Sequence, residues 1–439
     1  MKKKFKSILT LFIFLYPVIL SAQGQIQAKV LTLEDVFGLA ARYSVELRLS
    51  ANAVKIEAEQ TQIRRLARLP ELGTSFDYAY LSNADIWSPS FRDHRKGKIP
   101  HPFTRLSVTA EQLVFKGNQV NAIIEQATLE EKVVRLKQQS SQQEIRLLVA
   151  AKYLDILKLF NQRIVFSNNL FLARERLRNI KSLFKQGAVT ENDVLRTELI
   201  ISDFELALKK IAYNLDILNE QLNIVIGMQP GYRLEPDTNL VHPRIPLSLA
   251  ELRGESDRNN LQLKISDVKT SQAAIDIRIV KSERLPQLAL FAGSTLQRPF
   301  LNSLPAINVY YNVYQAGVGL RYNISSIYQS RPKIRAANLR LKQAELSQQL
   351  QRQQVDVEVS TAYTRYLEAN EELRTNVRNV ASALENFRIV EKKYFNQLAL
   401  QTDLIDATNI KVEAELDVSN SRIDVEYSYY QLLYAIGKL

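Results

Sequence analysis

The 439 residues are 46% hydrophobic and 24% charged, with 13 Gly, 13 Pro, 3 His, 1 Trp and no Cys, a balance that excludes disordered, collagenous and disulfide-stapled classes. The lack of Cys also removes thiolate metal sites, cysteine nucleophiles and an acylated lipoprotein N-terminus. The formal net charge is +12, and Lys2, Lys3, Lys4 and Lys6 supply four of those charges, leaving +8 beyond them.

Residues 1–22 read as a secretory signal peptide: a positive start through Lys6, an apolar run over 7–19, and Ser21-Ala22-Gln23 as a small-residue cleavage site. The apolar run is shorter than the ~20 residues of a spanning helix. The richest later stretch, 145–160, contains Arg146, Lys152, Asp155 and Lys158, so no later transmembrane helix is expected. The mature chain is therefore expected to be exported.

Two halves then repeat. Arg68-Leu69-Pro70-Glu71-Leu72 is echoed by Arg284-Leu285-Pro286-Gln287-Leu288 at an offset of 216. Further on the offset is 210, pairing Tyr153 with Tyr363, Phe184 with Tyr394, Asp193 with Asp403, and Ile226-Gly227 with Ile436-Gly437. The first half thus carries six more residues, placed between about 72 and 113. The division that follows is a first repeat over 23–230, a linker over 231–248 containing Pro236, Pro243 and Pro246, and a second repeat over 249–439.

In the first repeat a helix is expected over 33–66, strands over 74–82 and 104–112, a long helix over 117–184, and a helix over 191–226. No Pro falls between Phe103 and Gln229, and Gly187 is the only Gly between Gly117 and Gly227. A continuous helix over 117–184 is about 100 Å long, beyond an ordinary globular domain. The 186–190 segment breaks it, so the next helix returns antiparallel with a tip near Gly187. The second repeat is expected to follow suit: a helix over 249–283, strands over 288–296 and 313–324, a long helix over about 330–394, and a helix over 402–436, with its tip at 396–402. Each short helix and each returning helix together match one long helix, so each half supplies two full-length rods to a helical cylinder.

The strand 313–324 alternates strictly, with Tyr314, Ala316, Val318, Leu320, Tyr322 and Ile324 on one face. Phe76, Tyr78 and Tyr80 share a face of 74–82, and Leu106, Val108 and Ala110 share a face of 104–112. Such strands suit a bilayer crossing, though a soluble β-sandwich has the same alternation. Four strands cannot close a membrane barrel, which takes about eight at the least. A barrel must therefore be shared between subunits. The polar connections 83–102 and 297–308 are loops suited to the exterior.

The leader, the duplicated units and the tip motifs Phe184-x-x-Gly187-x-x-x-x-x-Asp193-Val194-Leu195 and Tyr394-x-x-Gln397-x-x-x-x-x-Asp403-Leu404-Ile405-Asp406 together resemble the TolC family of outer-membrane efflux channels over residues 33–439. The resemblance implies a mainly α fold with a small β part, long antiparallel helical hairpins forming a tunnel, and a 12-stranded transmembrane barrel built by a homotrimer. It also implies an outer membrane of a Gram-negative bacterium as the location, contact with its lipid, and docking through the tips onto a periplasmic adaptor and an inner-membrane efflux pump or ABC exporter. In the family an aspartate pair matching Asp403 and Asp406 narrows the entrance, and a link between residues matching Tyr394 and Asp193 helps close it.

The i, i+3 spacing puts Asp403 and Asp406 on one helical face, and three copies place six carboxylates around one opening that favours cations. The competing reading is that Asp193 and Asp403, just after Thr190 and Thr402, cap their helices; Asp406 lies deeper, where capping explains less. The family's second locking arginine falls here at Ala399, and Gln397 stands where a glycine is usual. Arg196, at the position matching Asp406, is a candidate partner for it. The second repeat ends two residues after Gly437, which implies a small equatorial belt.

No enzymatic constellation emerges: G-x-S-x-G, H-E-x-x-H and phosphate-binding glycine loops are missing. No cofactor is expected. His94, His101 and His242 lack metal-site spacing, and the cations are spread along helices, without a nucleic-acid footprint. The expected function is a passive outer-membrane conduit in a tripartite efflux or secretion system. The alternative is a structural trimeric coiled coil at the surface with no pore, which predicts a sustained heptad seam and no strand pairs.

Overall fold

The computed structural model describes residues 29–229, 231–238, 248–303 and 305–439. The expected leader, His242 and half of the linker, 239–247, lie outside these. In chain order the elements are β1 (Lys29–Leu31), α1 (Leu33–Tyr43), α2 (Val45–Leu66), β2 (Glu71–Tyr80), β3 (Ala84–Trp87), β4 (His94–Gly97), β5 (Pro102–Phe115), α3 (Gln119–Lys185) and α4 (Glu191–Ile226) in the first half. The second half follows with β6 (Leu234–Pro236), α5 (Leu249–Asn259), α6 (Leu261–Ser282), β7 (Gln287–Arg298), β8 (Tyr311–Arg321), α7 (Ser326–Phe395) and α8 (Gln401–Ala435).

Several elements depart from the sequence expectation. The single helix expected over 33–66 is two helices broken at Ser44, and that expected over 249–283 is two helices broken at Asn260. Ser44 and Asn260 hold extended ψ angles of 124° and 123° and accept hydrogen bonds from the first amides of the following helix. The breaks serve close packing. Gly227, just past α4, lies so near the first break that an added Cβ would stand 2.6 Å from Tyr43 Cβ, and Gly437 meets the Asn259 backbone at 2.7 Å. The expected linker contains a strand, β6, paired in parallel with β1. The expected loop 83–102 contains the hairpin β3–β4. The sheet ends at Arg321, so Tyr322 and Ile324 leave it. Helix α7 starts at Ser326 and carries Pro332 as its seventh residue, where one amide is lost from the helical ladder.

The long helices α3 and α7, of 67 and 70 residues, organise the rest. Both α2 and α4 pack on α3, as do α6 and α8, and the latter two also pack on α7. Side-chain bonds fix the placement. Thr61 of α2 and Arg68, two residues past its end, reach Ala127 and Asn121 at the start of α3, whereas Lys152, Arg174 and Lys181 of α3 reach Gln221, Glu205 and Glu198 of α4. Likewise Gln272 of α6 bonds Glu130 and Asn420 of α8 bonds Gln162. The result is a layer of four rods in the order α2 with α4, α3, α6 with α8, α7. Its main core joins α1, the middle of α3 and the end of α4 around Val36, Val149, Tyr153, Ile156, Leu157, Leu222 and Ile226, all essentially sealed from solvent. A repeat-equivalent core joins Leu252, Val359, Tyr366 and Leu432.

The four longer strands make one antiparallel sheet, β2-β5-β7-β8. Its register places Phe76 opposite Leu106, Leu106 opposite Leu296, Ala110 opposite Ala292, Ala292 opposite Ala316, and Leu290 opposite Val318. Paired residues share a face, so this face is apolar and ends in Tyr78 and Tyr80. The other face carries Asp77, Arg105, Ser107, Thr109, Gln297 and Gln315, with Arg105 bonded to Gln297 at 3.1 Å. Phe291 on that face lies over Gly317, where a Cβ would meet its ring at 2.8 Å. Among the described residues β2 and β8 each have one unpaired edge.

Candidate functional site: the helical tips

The α3–α4 and α7–α8 turns close alike. At the first, the Gly187 and Ala188 amides donate to the Phe184 and Leu183 carbonyls, and at the second Gln397 and Leu398 donate to Tyr394 and Lys393. The turn needs a left-handed residue. Gly187 has φ +71°, and Gln397 takes the same region at φ +61°, which costs a side-chain-bearing residue about 1–2 kcal/mol.

Asp193 and Asp403 occupy the third position of their helices. Asp193 Oδ2 accepts hydrogen bonds from the Thr190 amide at 2.7 Å and its hydroxyl at 2.8 Å, a full capping box. Asp403 Oδ2 accepts the Leu400 amide at 2.9 Å. Here Leu400 holds the capping position assigned from the sequence to Thr402, so the carboxylate acts alone and the helix begins at Gln401. Asp406, one turn deeper on α8, is exposed, and among the described residues it forms no ion pair with Arg196, which is also exposed.

Tyr394 is 8% exposed and packs with Ile180, Phe387, Leu404 and Ala407. Its hydroxyl is buried without a hydrogen-bond partner, and the Asp193 carboxylate is turned toward Thr190. Burial, reinforced by the nearby Asp193 charge, raises the pKa of this phenol. Within one chain, then, Tyr394 and Asp193 are neighbours that share no hydrogen bond, while Asp403 and Asp406 share a helix face.

A buried polar seam behind the tips was not legible in the sequence. Arg176 of α3, 7% exposed, donates to Thr408 Oγ1 of α8 at 3.1 Å and to Glu391 Oε1 of α7 at 3.3 Å. Burial pulls its pKa below the usual guanidinium range, and Glu391 opposes that shift. Lys411 of α8 donates to Asn169 Oδ1 of α3 at 3.1 Å, and Asn169 Nδ2 donates to Glu415 Oε2 at 2.9 Å. Both cations lie over the ring of Phe387, at 5.4 and 4.9 Å. Nearer the tip, Gln401 Nε2 donates to the Asp193 carbonyl at 2.5 Å and to Thr197 Oγ1 at 3.2 Å. These bonds tie the second hairpin to the first. No local pattern marks them, because the Arg176–Glu391 partners are 215 positions apart.

The protomer is a layer of long rods continuous with an antiparallel sheet that is apolar on one face and polar on the other. Residues 252–438 match the family described as outer membrane efflux protein. Over its full length the chain is 20% identical to the outer membrane efflux protein BepC of Brucella suis, covering 91% of that protein. The fold is shared with solved structures of CusC (TM-score 0.79, 14% identity, 92% of each chain) and of the outer membrane protein VceC from Vibrio cholerae (TM-score 0.78, 14% identity, 92% of this chain and 96% of that one). The family match thus covers the second repeat, and the fold of the whole chain is that of these outer membrane proteins. Its relatives are channels rather than enzymes.

Proposed function

We propose that three copies of this chain assemble a passive conduit that carries substrate from a periplasmic pump complex to the exterior. The observation that carries the reading is the pair of open edges. The sheet ends in unpaired edges at β2 and β8, and three sheets joined edge to edge give a 12-stranded barrel with the apolar face toward lipid. The helical layer is open in the same way. On its outer rods Leu49, Ile56 and Ile63 of α2, Leu199, Leu206 and Tyr213 of α4, and Leu339 and Leu346 of α7 are exposed at seven-residue spacing, which suits coiled-coil seams between copies. Leu398 and Leu400 stand exposed at the second tip, an apolar surface suited to a periplasmic adaptor leading to an inner-membrane pump or ABC exporter.

In this reading the tips line the entrance. Asp406, and Asp403 where its capping bond leaves one oxygen free, form a carboxylate ring that favours cations, while Asp193 and Tyr394 belong to the contact that holds the hairpins together. Subunit count in detergent and single-channel conductance in a planar bilayer test this. A conducting trimer is expected; a non-conducting species with no defined stoichiometry would overturn it.

A further inference from the structure

The hairpin β3–β4 stands at the far end of the sheet from the helices, one step beyond Tyr80. It is held in shape by its own bonds. Four residue pairs set its register, the Ser88 amide donates to the Asp93 carbonyl at 3.0 Å, and His94 Nε2 lies 2.9 Å from Asp85 Oδ1. The His94 ring lies tilted at 33° against Trp87 with centroids 4.4 Å apart, and Phe91, at φ +59° in the turn, lies 6.3 Å from Trp87. Both apolar rings face solvent, Trp87 at 52% and Phe91 at 75% exposure. In the same segment, within and just after the hairpin, Arg92, Arg95, Lys96 and Lys98 are exposed, and none forms an ion pair among the described residues. Of the two carboxylates in the hairpin, Asp85 is engaged by His94.

An exposed aromatic pair and four exposed cations carried on one short hairpin segment have no use for the molecule's own core. From these contacts we infer that the β3–β4 hairpin binds the headgroup of a phosphorylated glycolipid in the outer leaflet beside the barrel. The four cations meet its phosphates and the Trp87 and Phe91 rings lie against its sugar faces. Charge complementarity selects this occupant, because a hairpin just past the tyrosines of the apolar face sits at headgroup depth, where polyanionic lipid attracts basic segments. The assignment rests on the sheet being the membrane barrel.

Trp87 is the only tryptophan in the chain, so intrinsic fluorescence of the full-length protein reports on this hairpin alone. The protein is reconstituted into vesicles of phosphatidylcholine alone, with lipid A as the phosphorylated glycolipid, or with phosphatidylglycerol. With lipid A, Trp87 emission is expected to move to shorter wavelength and iodide quenching to fall about threefold or more, as for a ring moved from water to a headgroup. The R92Q/R95Q/K96Q/K98Q variant is expected to lose that response and keep its subunit count and conductance. Equal quenching with and without lipid A, or a full response in the quadruple variant, would overturn the proposal. So would phosphatidylglycerol or inorganic phosphate reproducing the response in full, since charge alone would then suffice. Protein that neither inserts nor conducts would instead refute the barrel; protein that conducts with unprotected Trp87 would refute only the hairpin's role.

Discussion

At the scale of single residues, the two glycines at the helix junctions are fixed by both backbone conformation and packing. Gly227 and Gly437 hold φ of +68° and +74°, and each abuts the backbone break of a short helix. An alanine at either position meets both left-handed strain and a contact under 3 Å. Gly227→Ala and Gly437→Ala are each expected to lower stability by about 2 kcal/mol or more; an unchanged thermal midpoint in either would show that the junction yields freely. The tip aspartates should separate in the same kind of assay. Asp403→Ala removes the bond to the Leu400 amide and is expected to cost about 0.5–1 kcal/mol. Asp406→Ala removes no bond in the described structure, so stability should stay within about 0.5 kcal/mol while cation preference, read from reversal potential, falls. Unchanged selectivity in Asp406→Ala would take that residue out of the pore. The capping role of Asp193 and Asp403 was legible in sequence because the third position of a helix has a local signature, which Asp406, a turn deeper, does not share. The Tyr394 environment was not, since its neighbours Ile180 and Leu404 come from different hairpins.

At the scale of elements, the Arg176 seam joins α3 to α7 and α8 through buried charge, where the two partners are not equivalent. Removing Glu391 leaves a buried guanidinium without its counter-charge, whereas Arg176→Met removes the buried charge itself. Glu391→Gln is therefore expected to destabilise by about 1–3 kcal/mol, and Arg176→Met by about 1 kcal/mol or less. Amide exchange along the first half of α8 would check this, and a larger loss in Arg176→Met would mean that the seam is held by its Thr408 bond and packing. In the sheet, Val318 lies on the apolar face opposite Leu290. Val318→Arg is expected to cost about 2–4 kcal/mol near the bilayer midplane and to reduce insertion into vesicles. Insertion at the level of the parent chain would place that face away from lipid.

At the scale of the whole molecule, what one chain leaves open indicates what several complete. The exposed heptad positions on α2, α4 and α7 lie at the two outer rods of the layer, where they contribute nothing to the protomer's own core. Charges there should divide assembly from folding. The double substitution Leu199→Glu, Leu206→Glu is expected to leave far-ultraviolet circular dichroism unchanged and to shift the detergent-solubilised species from trimer toward monomer. A trimer that persists would place the seam elsewhere.

The sequence by itself determined the duplication, the presence of two very long helices with returning partners, and the alternation of the strands. All of these are written in local periodicity and in where Pro and Gly are missing, which neighbouring residues enforce without help from the rest of the chain. The tertiary structure alone decided the breaks at Ser44 and Asn260, the order of the rods, the strand order that joins β5 to β7 across the two repeats, and the partners of Arg176 and Lys411. Each depends on contacts between residues far apart in the chain. A serine or asparagine inside a helical stretch does not announce that a glycine from the returning helix packs against the residue before it, and a buried cation is unreadable until the carboxylate 215 positions away is brought beside it.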